Sequence, residues 1–387
     1  MLTPSLAGDI AYADAWIKEA EAGYINATID YAEGYKAYES ILDDFYDEMT
    51  TITTIKPYMV GPGNHEANCD NGGTGSYTTS VCMPGQMNFT GFRNHFRMPS
   101  NESCGLENFW FSYDVGMVHF VQIDTETDLG HGLVGPDEPL GGTEDAGPFG
   151  LMNQQINWLT NDLATVDRSK TPWVVVTGHR PWYSSGSICT NCSLAFEPLF
   201  LEYGVDLYMA GHFHVYERMT PIANQVSDPN GLNNPSSPWY IVNGAAGHYD
   251  GLDSFTLPLM PYHVYGLSTN DGVYGWSMLT FHNCTHLTQS FIASNNNSVL
   301  DSATLYKNRT CGSPSNSASS SISSATSTTR SATGSATGSA TGSSTSSTTN
   351  SATSSATRSA TGSATGSAAG SATGSATGST TGISSTV

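Results

Sequence analysis

Short apolar runs are the first regular feature of the chain, and they predict buried strands. Residues 57–60, 173–177 and 205–210 are runs of this kind. Residues 109–124 contain two β-rich runs separated by a glycine turn, which predicts a hairpin. We expect a second sheet to be closed by three later runs of antiparallel character, at residues 239–243, 273–281 and 287–293.

Apolar residues at helical spacing lie between these runs. They predict four helices, at residues 14–22, 31–50, 151–166 and 193–203. Stretches rich in glycine and polar residues, at 67–85 and 130–150, predict surface loops. Because helices and strands alternate early and strands dominate late, the sequence predicts a two-sheet α/β sandwich.

Four stretches share one pattern, in which glycine precedes a residue that can bind a metal. They are Gly8-Asp9-Ile10-Ala11-Tyr12, Gly63-Asn64-His65-Glu66, Gly178-His179 and Gly211-His212-Phe213-His214. The last three follow predicted strands or apolar runs, and α/β folds place ligand sites at the carboxyl ends of strands. The pattern therefore predicts one shared site.

The side chains in this pattern are oxygen and nitrogen donors. Asp9 offers a carboxylate, Tyr12 a phenol, Asn64 an amide and His179 an imidazole, and Gly-His-Phe-His adds two more imidazoles. A set without thiolates suits iron, zinc or manganese, and its size indicates two ions that share a bridging carboxylate.

Each residue alone also has an ordinary structural role to weigh against metal binding. A single His-x-His is commonly a hydrogen-bonded or surface pair, Asp9 can cap the following helix, and Tyr12 can be a core tyrosine. The fourfold recurrence of the pattern favours the metal site.

These blocks, in this order and followed by Tyr216-Glu217-Arg218, resemble four of the five metal-binding blocks of the purple acid phosphatases. That family lies within the calcineurin-like metallophosphoesterases, and the resemblance spans roughly residues 6–309. It implies the metallophosphoesterase type of α/β sandwich and a secreted, fungal-type member.

The resemblance also implies the metals and their ligands. Asp9 corresponds to the bridging carboxylate, and Tyr12 and His214 correspond to ligands of Fe(III). The second ion is divalent (zinc, iron or manganese), and its ligands correspond to Asn64, His179 and His212.

The same resemblance assigns the chemistry. The nucleophile would be a metal-bound hydroxide, and His65 corresponds to the general acid that protonates the leaving alkoxide, with a structural histidine as the alternative. Glu66 and Glu217 are interpreted as residues that orient the ligands.

Substrate contacts are less well defined by the sequence. Plant members carry further histidines after the third block, whereas residues 180–193 contain none. Arg180, Tyr183 and His248 are candidates to replace them, although Arg180 and His248 are by default surface residues.

The expected activity is hydrolysis of phosphate monoesters in acid. The formal net charge of −21 argues against nucleic acid as a partner. It is compatible with small phosphate esters, because bound cations dominate the field of such a site. Two alternatives are a phosphoesterase for diesters or nucleotides, favoured if Tyr12 does not bind metal, and an inactive cell-surface protein.

Seven cysteines and seven Asn-x-Ser/Thr sequons favour a secreted or cell-wall protein with N-glycans. Cys189-x-x-Cys192 is interpreted as a small disulfide rather than a redox or zinc motif. Cys284 and Cys311 are a candidate pair. The other three, Cys69, Cys82 and Cys104, leave one unpaired. The sequons are at Asn26, Asn88, Asn101, Asn191, Asn283, Asn296 and Asn308.

Composition divides the chain into a catalytic domain, residues 1–311, and a tail, residues 312–387, built of Ser-Ala-Thr-Gly repeats. The tail is predicted to be disordered and O-glycosylated, and it ends without the apolar segment of a lipid anchor. The sequence has no transmembrane run.

The start of the chain also carries an expectation. A signal peptide and the family's first block, Asp-x-Gly, would lie upstream of Met1, so the N-terminus is interpreted as incomplete. Without that carboxylate we expect the chain Met1–Val387 to express poorly, to bind about one metal and to show little phosphatase activity.

Overall fold

The computed structural model describes residues 5–25, 33–67, 84–86, 89–126, 153–249 and 251–311, all within one compact unit, Met1–Ser319. The predicted tail, most of both predicted loops, and Cys69 and Cys82 lie outside the described residues. Among the described residues no helix is both long and apolar enough to span a bilayer.

The first half of the described chain contains most of its helices. In order, its elements are β1 (Ser5–Ala7), a 3₁₀ turn (Ala13–Ala15), α1 (Trp16–Glu21), α2 (Gly34–Thr53), β2 (Met59–Gly61), α3 (Asn64–Ala67), a second 3₁₀ turn (Pro84–Gln86), α4 (Thr90–His95), β3 (Phe111–Val115), β4 (Val118–Gln122) and α5 (Gln154–Thr165). The predicted hairpin is confirmed, since β3 and β4 pair antiparallel.

The second half consists mainly of strands. Its elements are β5 (Trp173–Thr177), α6 (Thr190–Glu202), β6 (Leu207–Ala210), β7 (Tyr216–Met219), β8 (Ile222–Ala223), β9 (Val226–Ser227), β10 (Trp239–Asn243), β11 (His263–Leu267), β12 (Gly275–Phe281), β13 (His286–Ala293) and β14 (Val299–Tyr306). The four predicted helices are therefore present, with ends shifted by a few residues.

A seven-stranded mixed sheet forms the centre of the fold. Its strand order is β11-β7-β10-β6-β5-β4-β3, and β4, β5, β6 and β10 run parallel. Separate smaller sheets are formed by β1 with β2, by β8 with β9, and by β12, β13 and β14.

The prediction that residues 239–243 belong to the second sheet is wrong. They form β10, which lies inside the large sheet, parallel to β6 on one side and antiparallel to β7 on the other. The reason is visible in its burial: the first four side chains are all buried, as expected for a central strand covered on both faces. The second sheet uses the unpredicted β14 instead.

Two cores show that the fold is a layered α/β sandwich. On β5, Val174 and Val176 join a cluster with side chains of α5 and α6. Trp173 and Val175 point to the opposite face and join a cluster with side chains of β13 and β14. Because strand residues alternate between faces, the large sheet has helices on one side and the small sheet on the other.

Both predicted disulfides are confirmed. Cys189 is bonded to Cys192 at the start of α6, and Cys284 is bonded to Cys311. Cys104 is exposed and is the unpaired cysteine among those that the structure describes.

Asp206 is a buried carboxylate that joins three cations. Its side chain is 1% exposed and contacts Arg168, Lys307 and Arg309, and it accepts the backbone N–H of Val174. Asp206→Ala leaves these cations without their counter-charge. We expect it to lower the free energy of unfolding by about 3–5 kcal/mol, measured by urea denaturation.

Asp167→Ala is the matched control, because this exposed carboxylate pairs with Lys170 at the surface. It should leave the urea midpoint nearly unchanged. Equal shifts for the two variants would show that the Asp206 cluster contributes no more than a surface pair.

Candidate metal centre

Two glycines let the ends of β1 and β2 approach each other closely. Gly8 has φ +91°, and a Cβ there would lie 2.6 Å from Gly63 Cα and 2.6 Å from His179 Nδ1. A Cβ on Gly63 would lie 2.2 Å from Asp9 Oδ1. Any larger residue at either position would push the donor side chains apart.

Glu66 fixes the relative position of these two loops. Its carboxylate accepts backbone N–H groups of Asp9 (2.7 Å), Ile10 (2.6 Å) and Gly63 (2.8 Å). Burial and the charge of Asp9 raise the pKa of Glu66 to about 7, against the opposing effect of these hydrogen bonds. Glu66 therefore acts through the backbone of the two donor loops.

Several donor residues have left-handed backbone conformations. The φ angles are 55° at Asp9, 50° at Tyr12 and 62° at His212. Such conformations cost non-glycine residues of order 1–3 kcal/mol and persist where surrounding contacts impose them. Here they occur at residues of both donor groups described below.

One group of donors comes from four different loops. His179 Nε2 lies 2.8 Å from Asn64 Oδ1, 3.1 Å from His212 Nδ1 and 3.2 Å from Asp9 Oδ2. His212 Nδ1 is also 2.9 Å from Asn64 Oδ1. The ligand atoms of Asp9, His179 and His212 all lie within 4.8 Å of one another.

These distances fit a cation site better than a hydrogen-bond network. One imidazole nitrogen carries at most one proton and cannot donate to three neighbours at once. Ligands held about 2.0–2.2 Å from a shared ion lie about 3 Å apart when they are at right angles. The oxygen and nitrogen donors present therefore suit a divalent ion such as zinc.

A second group of donors shares Asp9. The Tyr12 hydroxyl lies 3.1 Å from Asp9 Oδ2 and 2.8 Å from His214 Nε2. The backbone N–H of His214 donates to Asp253 at 2.8 Å, which fixes the position of His214. With phenol, imidazole and carboxylate together, this group suits a hard, highly charged ion such as Fe(III).

The charges of the site favour an ionised Asp9. Burial opposes its ionisation, but His179 and His65 outweigh burial and hold the pKa of Asp9 well below its usual range. For Tyr12, burial and then Asp9 raise the pKa well above the usual value. A phenolate at this position therefore requires a strongly charged cation beside it.

His65 lies next to this centre but outside both donor groups. Its backbone N–H donates to Asp9 Oδ1 at 3.2 Å, and its Nδ1 lies 2.8 Å from Asp14 Oδ2. Both side chains of this pair are at least nine-tenths buried. The ring also packs edge-on against Tyr12, with centroids 4.6 Å apart.

Asp14 was missed in the sequence. It lies in a helical segment where an acidic residue near the helix start is unremarkable. Its burial is the informative property, and burial cannot be read from one carboxylate in a polar stretch.

His248, a candidate substrate contact in the sequence, lies next to the second donor group. Its ring lies 4.2 Å from that of Tyr12 and 4.3 Å from that of His214. Burial, His214 and His65 lower the pKa of His248 to about 3, with a smaller effect from Lys18. This imidazole is therefore neutral in mild acid, although the charge of Asp9 acts in the opposite direction.

Arg180 is buried rather than exposed. Its Nε lies 3.0 and 2.9 Å from the two carboxylate oxygens of Glu126, a fully buried residue that the sequence did not identify. Its Nη1 is 3.4 Å from His212 Nε2. The guanidinium therefore lies beside a donor residue of the first group.

Tyr183 and Glu217 take part in buried hydrogen bonds. The Tyr183 hydroxyl donates to Glu197 at 2.7 Å. Glu217 accepts from the backbone and hydroxyl of Ser185, at 2.8 and 2.6 Å, and contacts His263 at 2.8 Å. These described contacts do not place either residue on a donor side chain.

Two family models match this chain. Residues 6–216 match the model described as calcineurin-like phosphoesterase, which includes all four donor blocks. Residues 237–302 match the model described as iron/zinc purple acid phosphatase-like protein C.

Two acid phosphatases are similar in sequence to this chain. The chain is 42% identical over 326 residues to acid phosphatase A of Cryphonectria parasitica, which is 78% of this chain and 62% of that protein. It is 38% identical over 331 residues to an acid phosphatase of Aspergillus ficuum, which is 70% of this chain and 52% of that protein. The chain thus spans about half to two-thirds of their length.

A solved structure shares the fold. The purple acid phosphatase from yellow lupin (Lupinus luteus) seeds aligns with a TM-score of 0.54 and 25% identity, over 78% of this chain and 50% of that one. With the family models and the 42% identity, this similarity shows that the chain belongs to the purple acid phosphatases of the calcineurin-like phosphoesterase family.

Proposed function

We propose that this protein is a secreted acid phosphatase that hydrolyses phosphate monoesters at a centre of two metal ions. The observation that carries the proposal is the pair of donor groups that meet at Asp9. Asn64, His179 and His212 would hold a divalent ion with Asp9. Tyr12 and His214 would hold Fe(III) together with the same carboxylate.

Two such cations, when bound, would neutralise the charge of the phosphoryl group and make hydroxide available as the nucleophile in acid. The protein's contribution is a preorganised donor set. Asp9 stays ionised in acid because its histidine neighbours hold its pKa low, so the bridging carboxylate would persist at the working pH.

His65 would supply the proton. Asp14 holds its Nδ1 at 2.8 Å, so the proton for the leaving group would be carried on Nε2. As the phosphorus–oxygen bond to the alcohol breaks, that proton would pass to the departing oxygen. His248, at the edge of the same cluster, would contact the phosphate.

We also propose that the protein is secreted and carries N-glycans. The five sequon asparagines that the structure describes are all exposed, which leaves them accessible to glycosylation: Asn101, Asn191, Asn283, Asn296 and Asn308. The two disulfides suit an oxidising compartment. Residues 1–311 would form the catalytic domain and residues 312–387 a glycosylated tail.

The colour of the protein tests whether Tyr12 binds iron. With its metals bound, the protein should be violet, because a phenolate bound to Fe(III) absorbs visible light. Tyr12→Phe should abolish that absorption, recorded together with iron content and with hydrolysis of p-nitrophenyl phosphate at acid pH. Tyr183→Phe, which removes a buried phenol that binds Glu197, is the control and should keep the colour.

A colourless, metal-replete and active wild type would overturn the Tyr12 assignment. Faster hydrolysis of bis(p-nitrophenyl) phosphate than of the monoester would then favour the alternative of a diesterase. No hydrolysis of either substrate by metal-replete protein would leave the inactive surface protein as the better interpretation.

A further inference from the structure

A lysine lies at the edge of the proposed centre, on the helix that follows Tyr12. Lys18 belongs to α1, which is anchored by the buried side chains of Trp16 and Ile17. The Lys18 ammonium lies 5.5 Å from the centroid of the Tyr249 ring. This distance is within the range of a cation–π contact, which holds the charge near one place.

Aromatic contacts connect this lysine to the donor residues. The Tyr249 ring lies 4.1 Å from the His248 ring and 6.4 Å from the Tyr12 ring. Lys18, Tyr249 and His248 are all half-buried, so each presents part of its surface to solvent. Tyr249 therefore lies against His248, which is proposed to contact the reacting phosphate, and Lys18 lies against Tyr249; these two residues are called the rim.

The charge of this rim matters because the whole chain is acidic. With a formal net charge of −21, the protein repels substrates that carry several negative charges. A cation at the rim would offset the repulsion locally, at the point where the far end of a substrate lies.

We propose that Lys18 and Tyr249 form a subsite for a second phosphate group of the substrate, so that the enzyme favours bisphosphorylated alcohols over monophosphates. The proposal rests on the function proposed above. An ammonium carries three N–H donors and the phenol one, so contact with an aromatic face is compatible with hydrogen bonds to phosphate oxygens.

Matched substrates test this subsite. Alkane-1,n-diol bisphosphates of increasing chain length are compared with alkyl monophosphates of the same length, and the ratio of their kcat/KM values is measured. The ratio should exceed one and pass through a maximum at the length that spans the reacting phosphate and Lys18. Lys18→Gln should lower that maximum about tenfold.

Two further variants sharpen the result. Lys18→Arg keeps a cation and its contact with the Tyr249 ring, so it should retain at least about half of the ratio. Lys36→Gln removes an exposed lysine of α2 that pairs with Glu33, and it should leave the ratio unchanged. Added salt should lower the ratio in the wild type and have little effect in Lys18→Gln.

The outcomes separate this subsite from the proposed function. If alkyl monophosphates are hydrolysed but the ratio is near one at every length, the subsite proposal is wrong and the proposed phosphatase activity stands. The same conclusion follows if Lys18→Gln does not change the ratio. Failure of the metal-replete wild type to hydrolyse any monophosphate overturns the proposed function itself.

Discussion

His212→Ala is expected to release the divalent ion and to lower kcat by roughly 10³-fold or more. The imidazole Nδ1 lies 2.9 Å from Asn64 Oδ1 and 3.1 Å from His179 Nε2, so its removal opens the first donor group. A lost ion withdraws several kcal/mol of charge stabilisation, and each 1.36 kcal/mol corresponds to tenfold in rate. Metal analysis measures the divalent-ion content, and steady-state kinetics on p-nitrophenyl phosphate measure kcat.

Iron should behave differently in this variant. The second donor group, with Tyr12, His214 and Asp9, does not include His212. The violet colour should therefore survive in His212→Ala while the divalent metal is lost. His282→Ala, which removes an exposed histidine bonded to Thr288, is the control and should retain both metals and turnover. Full divalent metal content in His212→Ala would contradict the assigned ligand set.

The donor blocks could be predicted from sequence because each is a local pattern. An apolar run followed by glycine and a polar donor specifies a strand end, and strand ends of α/β folds meet at one edge. The structure brings the side chains of these blocks together as this rule predicts. The structure also explains why glycine is required at positions 8 and 63. A Cβ at either position would lie less than 3 Å from an atom of the opposite loop.

Pairings between distant segments could not be predicted in this way. The apolar run of β10 predicts a strand but not its neighbours, which depend on the whole topology of the sheet. His65 meets Asp14, and Arg180 meets Glu126, through contacts that join segments 51 and 54 residues apart. No periodicity in either segment indicates such a contact, because a single carboxylate has the same appearance in a buried pair and on a solvated surface.

Their contacts in the structure separate the three candidate substrate-binding residues from one another. The sequence alone does not distinguish Arg180, Tyr183 and His248. In the structure, His248 lies against Tyr12 and His214. Arg180 is paired with Glu126, and the Tyr183 hydroxyl donates to Glu197. Of the three, His248 has the contacts expected of a residue that reaches a bound phosphate.

His65→Ala is expected to lower kcat by about 10²–10⁴-fold while both metals stay bound, which distinguishes a proton donor from a ligand. The side chain is held by Asp14 at 2.8 Å, and its ring lies against that of Tyr12. A general acid matters most when the leaving group is a poor one. The loss should therefore be largest for alkyl phosphates and smaller for p-nitrophenyl phosphate, whose leaving group needs little protonation.

Asp14→Asn tests how His65 is positioned. It keeps the shape of the buried partner but removes its charge, so we expect a loss of about 10–100-fold in kcat with the same dependence on the leaving group and with metals retained. A structural defect would instead lower the rates for all substrates equally. If His65→Ala loses the divalent ion as completely as His212→Ala does, His65 is a ligand and the proton must come from another residue.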